Sequence, residues 1–253
     1  MKKYKMQICI AAAVVLLGAA VFCGFQIYHH YAQVEEQTEA FEQMAKLVEK
    51  APEEAIPEDT PVSEGEDVLA KYRELYLQNE DMVGWISIAG TKLNYPVMQT
   101  TNNPNFYLKH NFEKAYSDLG TPYIQENCNL LESDNLVIYG HHMNDGSMFA
   151  DLCKYTDADF CKEHPEIAFD TLSNLGKYEV VAAFKFNTNR ETFKYNEYTL
   201  MDEAQFAEFM ENVRARQLYD TGVTAEYGDQ LLTLSTCEYT YPNGRFVVIA
   251  KKV

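Results

Sequence analysis

Three residues that could act in one reaction stand at the ends of predicted strands: a cysteine, an arginine and a histidine. Cys237 closes the run LLTLSTC, and Arg245 opens the run RFVVIA. If the two runs pair as a hairpin, opposite residues share a face, so the thiol and the guanidinium lie together. A nearby cation favours the reactive thiolate, and a guanidinium can stabilise an oxyanion. The spacing therefore predicts a nucleophile and its electrostatic partner on one surface.

The third candidate, His141, would supply the acid–base group that a cysteine nucleophile needs to protonate a leaving amine. It directly follows the run NLVIYG, in which Gly140 permits a tight exit from the strand. Adjacent His141 and His142, with Asp145, raise a metal-site alternative, but neighbours on an extended chain point apart and no third ligand is obvious. We therefore expect no metal and no other cofactor. Each residue alone is more often structural, so the hypothesis depends on all three occurring together.

The elements that must position these residues are mostly short strands. WISIAGTKLNYPVMQT predicts a hairpin, because its β-rich runs are interrupted by Gly90 and Pro96. DEAQFAEFMENVRAR predicts a helix capped by Asp202, with Gln205 three residues later, and DVLAKYRELYLQN predicts another. Such a pattern favours a mainly β fold, a barrel or a sandwich with helical decoration. Further strands are predicted in TPYIQ, NLVIYG, EIAFDTL, KYEVVAAFKF, QLLTLSTC and RFVVIAKKV.

The first residues predict a membrane anchor. Residues 6–28 carry no charge, which in a helix is long enough to cross a bilayer, and residues 1–5 carry three lysines. The positive-inside rule puts residues 1–5 in the cytoplasm and the body of the protein outside. A cleaved signal peptide is the alternative, although the apolar run is long for one. A lipoprotein modified at Cys23 is disfavoured by Phe22 before it.

The chain after the anchor divides by composition. Residues 29–66 read as a helical stalk followed by an acidic, proline-rich linker, and residues 67–253 read as one folded domain. The net charge is −17 and no basic patch is visible, which speaks against a nucleic-acid partner. Outside the anchor, Cys128, Cys153 and Cys161 show no metal-binding spacing, and we interpret them as buried, apolar core residues.

The motifs, taken together, resemble those of the sortase family, and class B sortases more closely. TLSTC with an arginine eight residues later, and YGHHM and GSMF upstream, carry the resemblance, supported by GWISIAGTKLNYPVMQ and NFYLKHNF. The likeness covers roughly residues 67–253. It implies an α+β fold that is mainly β: a closed eight-stranded barrel with N-terminal helices and one helix before the last two strands.

The resemblance also implies a role for each residue. Cys237 takes the position of the nucleophile, His141 that of the acid–base group, and Arg245 that of the arginine that steadies the substrate carbonyl and oxyanion. His142 does not take the acid–base position. Side chains that would line the substrate groove are Ser235, Tyr139, Leu108 and Asn103.

The implied activity is transpeptidation. The enzyme would cleave a C-terminal sorting signal of surface proteins after threonine, through a thioester on Cys237. The acyl group would then pass to an amino group of a cell-wall precursor of the lipid II type. Two alternatives use the same residues, a cysteine hydrolase and a pilin-polymerising sortase. A non-catalytic binding module is the alternative of another class, and it predicts an inert Cys237.

Overall fold

The computed structural model describes residues 2–50, 70–240 and 242–253. The predicted linker at 51–66 and the predicted start of the domain at 67–69 lie outside the described residues. The chain divides into two compact units, Met1–Gln43 and Met44–Val253. The second unit contains every predicted catalytic residue.

The helix α1 spans Lys2–Lys50. Part of it is long and apolar enough to cross a membrane, judged by length and composition. Its large apolar side chains, such as Val14, Leu16 and Leu17, are exposed. Packing inside the protein therefore does not account for their apolar character.

The second unit is built on a closed eight-stranded barrel, as the resemblance implied. Going round the barrel, the strands follow the order β1–β2–β3–β4–β7–β8–β6–β5, and β5 closes onto β1. The pairs β2/β3 and β4/β7 are parallel, and the other pairs are antiparallel. The strands are β1 Met82–Ser87, β2 Asn94–Met98, β3 Tyr123–Ile124, β4 Asn135–Tyr139, β5 Glu166–Thr171, β6 Lys177–Asn187, β7 Leu231–Glu238 and β8 Gly244–Lys252.

Short helices decorate this barrel. The helix α4, Glu203–Arg214, precedes the last two strands, as predicted, and Asp202 and Gln205 form the expected capping box. The helix α2, Arg73–Gln78, follows a 3₁₀ turn at Ala70–Tyr72 and confirms part of the predicted N-terminal helix. The helix α3, Ala158–Glu163, was not predicted, because six residues are too few to show a helical period.

The alternation of β7 and β8 separates the core from the catalytic face. Leu232 lies opposite Ala250 and Leu234 opposite Val248, and all four are fully buried. Cys237, an odd-numbered residue of β7, points to the other face and is half-buried. Most of this second face of β7 is buried as well, so the β7/β8 pairing, rather than burial, fixes where the thiol points.

The structure corrects one expectation about the cysteines. Cys128 and Cys161 are buried, as expected, and both thiols are free. Cys153 is free but only half-buried. It lies in the 3₁₀ segment Ala150–Thr156, where its Sγ is 3.4 Å from the imidazole Nδ1 of His142. A polar neighbour therefore takes the place of the apolar packing that we predicted.

Candidate active site

Three adjacent strands bring the predicted catalytic residues side by side. In the parallel pair β4/β7, Tyr139 lies opposite Ser235, and in the antiparallel pair β7/β8, Cys237 lies opposite Arg245. His141 is two residues past Tyr139, as Cys237 is two residues past Ser235, and both line the same cleft as Arg245. Cys237 is therefore in the middle, with His141 on one side and Arg245 on the other. This confirms the predicted hairpin register.

These residues stand at one end of a cleft of about 380 Å³. The cleft runs from the half-buried Cys237 along β7 towards Ser235 and along β4 towards Tyr139. Its size suits an extended peptide segment. The lining residues are Asn105, Leu108, Tyr123, Gln125, Glu126, Tyr139, Gly140, His141, Asn196, Ser235, Thr236, Cys237 and Arg245.

The His141 ring is oriented by a backbone contact. Its Nε2 donates a hydrogen bond to the carbonyl oxygen of Leu108 at 2.7 Å, which leaves Nδ1 as the nitrogen that can exchange a proton. Burial lowers the pKa of His141 below its ordinary value, the hydrogen bond to Leu108 opposes this, and the charge of Lys109 adds to the lowering. The resting imidazole is therefore favoured in its neutral form, which can accept the proton of a thiol.

Gly140 is required by a close approach. A Cβ at this position would lie 2.5 Å from the aromatic ring of Phe149, and Phe149 is fully buried. Any larger residue would therefore push the segment away from the barrel. The glycine before His141 lets the chain pass over this ring and keep the imidazole close to β7.

Arg245 has donors available for a ligand. Its Nη1 donates to the carbonyl oxygen of Gly244 at 2.9 Å, and among the described residues it forms no ion pair. The nearby carboxylate of Glu238 pairs instead with Lys185 at 3.0 Å. The remaining guanidinium N–H groups can therefore donate to an oxyanion that forms beside Cys237.

The far wall of the cleft is held by side-chain hydrogen bonds. The Gln125 Oε1 accepts from the Tyr139 hydroxyl and from Asn196 Nδ2, while its Nε2 donates to the Asn196 carbonyl oxygen at 2.8 Å. The Tyr195 hydroxyl and Ser235 Oγ lie 2.7 Å apart. Burial raises the pKa of both tyrosines, so their phenols stay neutral and act as hydrogen-bonding groups.

The structure brings together most of the residues predicted to line the groove. Ser235, Tyr139 and Leu108 line the cleft, whereas Asn103 does not. Asn105, with a left-handed φ of 62°, lines the cleft instead, and its Oδ1 accepts from the Tyr123 hydroxyl at 2.8 Å. Sequence reasoning also missed Tyr123, Gln125, Glu126, Asn196 and Thr236. The alternation of TPYIQ could have indicated the first two, since Tyr123 and Gln125 share a face.

The other thiols and the alternative metal ligands have different surroundings. Burial raises the pKa of the Cys128 and Cys153 thiols to about 11, so both are held as unreactive thiols at neutral pH. Asp145 Oδ1 accepts from the N–H and the hydroxyl of Ser147. Among the described residues, His, Cys, Asp and Glu side chains form no group that could hold a metal ion.

Sequence comparison identifies the family. The sortase domain matches residues 86–253, about two thirds of the chain. The chain belongs to the sortase family. Among its sortase relatives, sortase B of Listeria monocytogenes is 36% identical over 190 residues, which cover 74% of this chain and 76% of the relative. Sortase B of Staphylococcus aureus is 32% identical over 191 residues, with the same coverage of both chains.

Solved sortase structures agree with this assignment. Sortase B of Bacillus anthracis in complex with AAEK1 has a TM-score of 0.75 and 28% identity, and the match covers 88% of this chain and 99% of that one. The Staphylococcus aureus sortase B–substrate complex has a TM-score of 0.74 and 25% identity, covering 88% and 98%. The chain is thus a class B sortase, a cysteine transpeptidase by family.

Proposed function

We propose that this sortase cleaves a C-terminal sorting signal after threonine and transfers the surface protein to an amino group of a cell-wall precursor. The observation that carries the proposal is that His141, Cys237 and Arg245 line one cleft, with Cys237 opposite Arg245 in the β7/β8 pair. A base, a thiol and a cation in one cleft are the groups that acyl transfer requires. Similarity to a sortase B–substrate complex supports a peptide donor.

In the first half-reaction, His141 takes the proton of the Cys237 thiol, and the thiolate attacks the threonine carbonyl carbon. Arg245 donates hydrogen bonds to the oxyanion that forms. As the C–N bond breaks, His141 gives the proton to the leaving amine, and a thioester remains on Cys237. The half-exposed position of the thiol leaves room for the peptide.

In the second half-reaction, the amino group of the acceptor attacks the thioester carbon. His141 accepts the proton of the attacking amine, the C–S bond breaks, and a new amide bond joins the protein to the acceptor. We propose an acceptor of the lipid II type. Water in its place would give hydrolysis, which differs only in the nucleophile.

We further propose that residues 6–28 anchor the enzyme in the cell membrane, with residues 1–5 in the cytoplasm and the catalytic domain outside. The lysines before the apolar run and the acidic residues after it support this orientation. The helical stalk and linker at 29–66 would hold the catalytic domain, residues 67–253, at a distance from the membrane. Protease protection of the domain in intact cells would contradict this orientation.

The decisive experiment uses the full chain in detergent, a library of sorting-signal peptides, and hydroxylamine as the acceptor. Mass spectrometry should show cleavage after threonine and a hydroxamate product, and Cys237→Ala should abolish both. Cys161→Ala, which removes a buried thiol outside the cleft, should retain activity. Free acid alone in the presence of hydroxylamine would favour the hydrolase. The absence of cleavage by the unaltered enzyme across the library would reject the proposal.

A further inference from the structure

The segment that carries His141 lies beyond the end of β4, where the strand ladder no longer holds it. Before His141, the segment is tied to β7 at Gly140. The Gly140 N–H donates to the Ser235 carbonyl oxygen at 3.2 Å, and the Gly140 carbonyl oxygen accepts from Thr236 Oγ1 at 2.8 Å. Both bonds lie on one side of His141. On its other side, the His141 carbonyl oxygen accepts from the Phe149 N–H at 2.8 Å, which ties the segment to residue 149 but not to β7. A contact to β7 on that side would fix the segment against the strand that carries Cys237.

His142 makes that contact. Its Nδ1 lies 3.0 Å from the carbonyl oxygen of Cys237, and because a carbonyl oxygen can only accept, Nδ1 must carry the proton and donate. The carbonyl oxygen of His142 accepts from the Tyr239 hydroxyl at 2.8 Å, and the two rings lie 5.0 Å apart. We propose that His142 is a positioning residue, which fastens the His141 segment to the strand that carries the nucleophile.

The two neighbouring histidines then divide the work. His141 lines the cleft and exchanges protons in the proposed reaction. His142 is not among the described residues that line the cleft, and its Nδ1 donates to the carbonyl oxygen of Cys237. Cys153 Sγ lies 3.4 Å from the same nitrogen and serves as a second, weaker partner. The expected effect of His142 on kcat rests on the proposed transpeptidation. Its expected effect on the amide hydrogen exchange of residues 140–149 does not.

The experiment compares three variants of the full chain at position 142. His142→Ala removes the donor, and His142→Gln places an amide near the position of Nε2, so neither variant donates to Cys237. His142→Asn places an amide N–H near Nδ1 and restores the donor. We expect kcat to fall about five- to tenfold in the Ala and Gln variants, with KM little changed, and to recover in the Asn variant.

Amide hydrogen exchange supplies a readout that needs no substrate. Amide hydrogens of residues 140–149 should exchange faster in the His142→Ala and His142→Gln variants than in the unaltered enzyme. In the His142→Asn variant their exchange should be unchanged. His164→Ala is the matched control, because it removes the same kind of contact, from His164 Nδ1 to the Ala89 carbonyl oxygen at 2.8 Å, away from the cleft. It should change neither kcat nor the exchange of residues 140–149.

The outcomes separate the two proposals. Unchanged exchange in both the Ala and Gln variants, or an Asn variant as impaired as the Gln variant, would overturn the positioning role. If the Ala variant does not fold, comparison of the Gln and Asn variants still shows whether the donor at position 142 matters. An unaltered enzyme that cleaves no sorting-signal peptide would reject the proposed function alone, while the exchange data would still test His142.

Discussion

The two ends of the catalytic cleft are supported in different ways. At the reactive end, Cys237 and Arg245 belong to paired strands, so main-chain hydrogen bonds set their spacing, and His141 follows the end of β4. At the far end, Gln125 follows the end of β3, whereas Asn196 comes from a connection and is held through hydrogen bonds with the Gln125 side chain. The reactive end therefore depends on strand register, and the far end on a small polar network.

We infer from this difference that strand pairing positions the groups that react, and that side-chain hydrogen bonds hold the wall that binds the peptide. Groups that meet the reacting atoms tolerate little displacement, since positioning errors cost large factors in rate. A wall that only binds the peptide tolerates larger changes in position, because it is formed partly by loops. Substitutions at the reactive end should therefore lower kcat, and substitutions at the far end should mainly raise KM.

The largest effect that tests this comparison is expected for Arg245→Lys. Lysine keeps the charge but lacks the planar, forked donors, so the oxyanion loses directed hydrogen bonds. We expect kcat/KM for peptide cleavage to fall about 100- to 1,000-fold, mostly through kcat. Arg216→Lys, at an arginine that pairs with Glu191 outside the cleft, should be near normal. Near-normal turnover by Arg245→Lys would remove this arginine from the mechanism.

A smaller effect is expected at the far end, for Gln125→Leu. Leucine fills a similar volume but breaks the hydrogen bonds to Tyr139 and Asn196. KM for the peptide should rise about tenfold while kcat changes little, because only the binding wall loosens. Gln230→Leu is the matched control, since Gln230 also makes side-chain hydrogen bonds but lies at the start of β7, outside the cleft. A fall in kcat alone would contradict the separation of the two ends.

The same difference explains what the sequence could predict. The alternation in LLTLSTC and RFVVIA is a local pattern, and it was sufficient to place Cys237 opposite Arg245. His141 was a candidate by residue type and by the family resemblance, but its place near Cys237 could not be predicted, because the parallel pairing of β4 with β7 joins residues nearly a hundred positions apart. Local periodicity carries no information on such a pairing.

Asn196, on the far wall, could not be predicted, for a physical reason. Asn196 comes from the long connection between β6 and β7, and its contacts depend on how that connection packs rather than on any period. Asn105 was missed by two residues, because a loop with a left-handed residue has no regular spacing. The role proposed for His142 was hidden as well, since a side chain that bonds a distant backbone oxygen leaves no mark in the sequence.

The protonation of His141 offers a finer test of the reactive end. Lys109 lowers the pKa of this imidazole and forms an ion pair with Asp118 at 2.8 Å. Lys109→Gln removes a positive charge and the ion pair of the Asp118 carboxylate, and both changes favour the imidazolium. An NMR titration should therefore give a higher pKa for His141 in the variant. A lower pKa would show that another group governs the imidazole.

The smallest expected effect concerns Glu126, a carboxylate at the far end of the cleft that pairs with no described residue. Glu126 lies two residues past the end of β3 and lines the same cleft as Cys237. In the proposed reaction the acyl part of the peptide stays bound during both half-reactions, and we expect it to fill this cleft. A basic residue several positions before the threonine would then lie near Glu126.

We therefore expect a preference for lysine over alanine in that part of the peptide, of about two- to fivefold in kcat/KM at low salt, as for an exposed ion pair. Glu126→Gln should abolish the preference without changing kcat, and added salt should weaken it in the unaltered enzyme. Glu163→Gln, at an exposed carboxylate on α3, should leave it intact. A preference that survives in Glu126→Gln would mean that the far end selects its peptide by shape, and that its charge is not part of recognition.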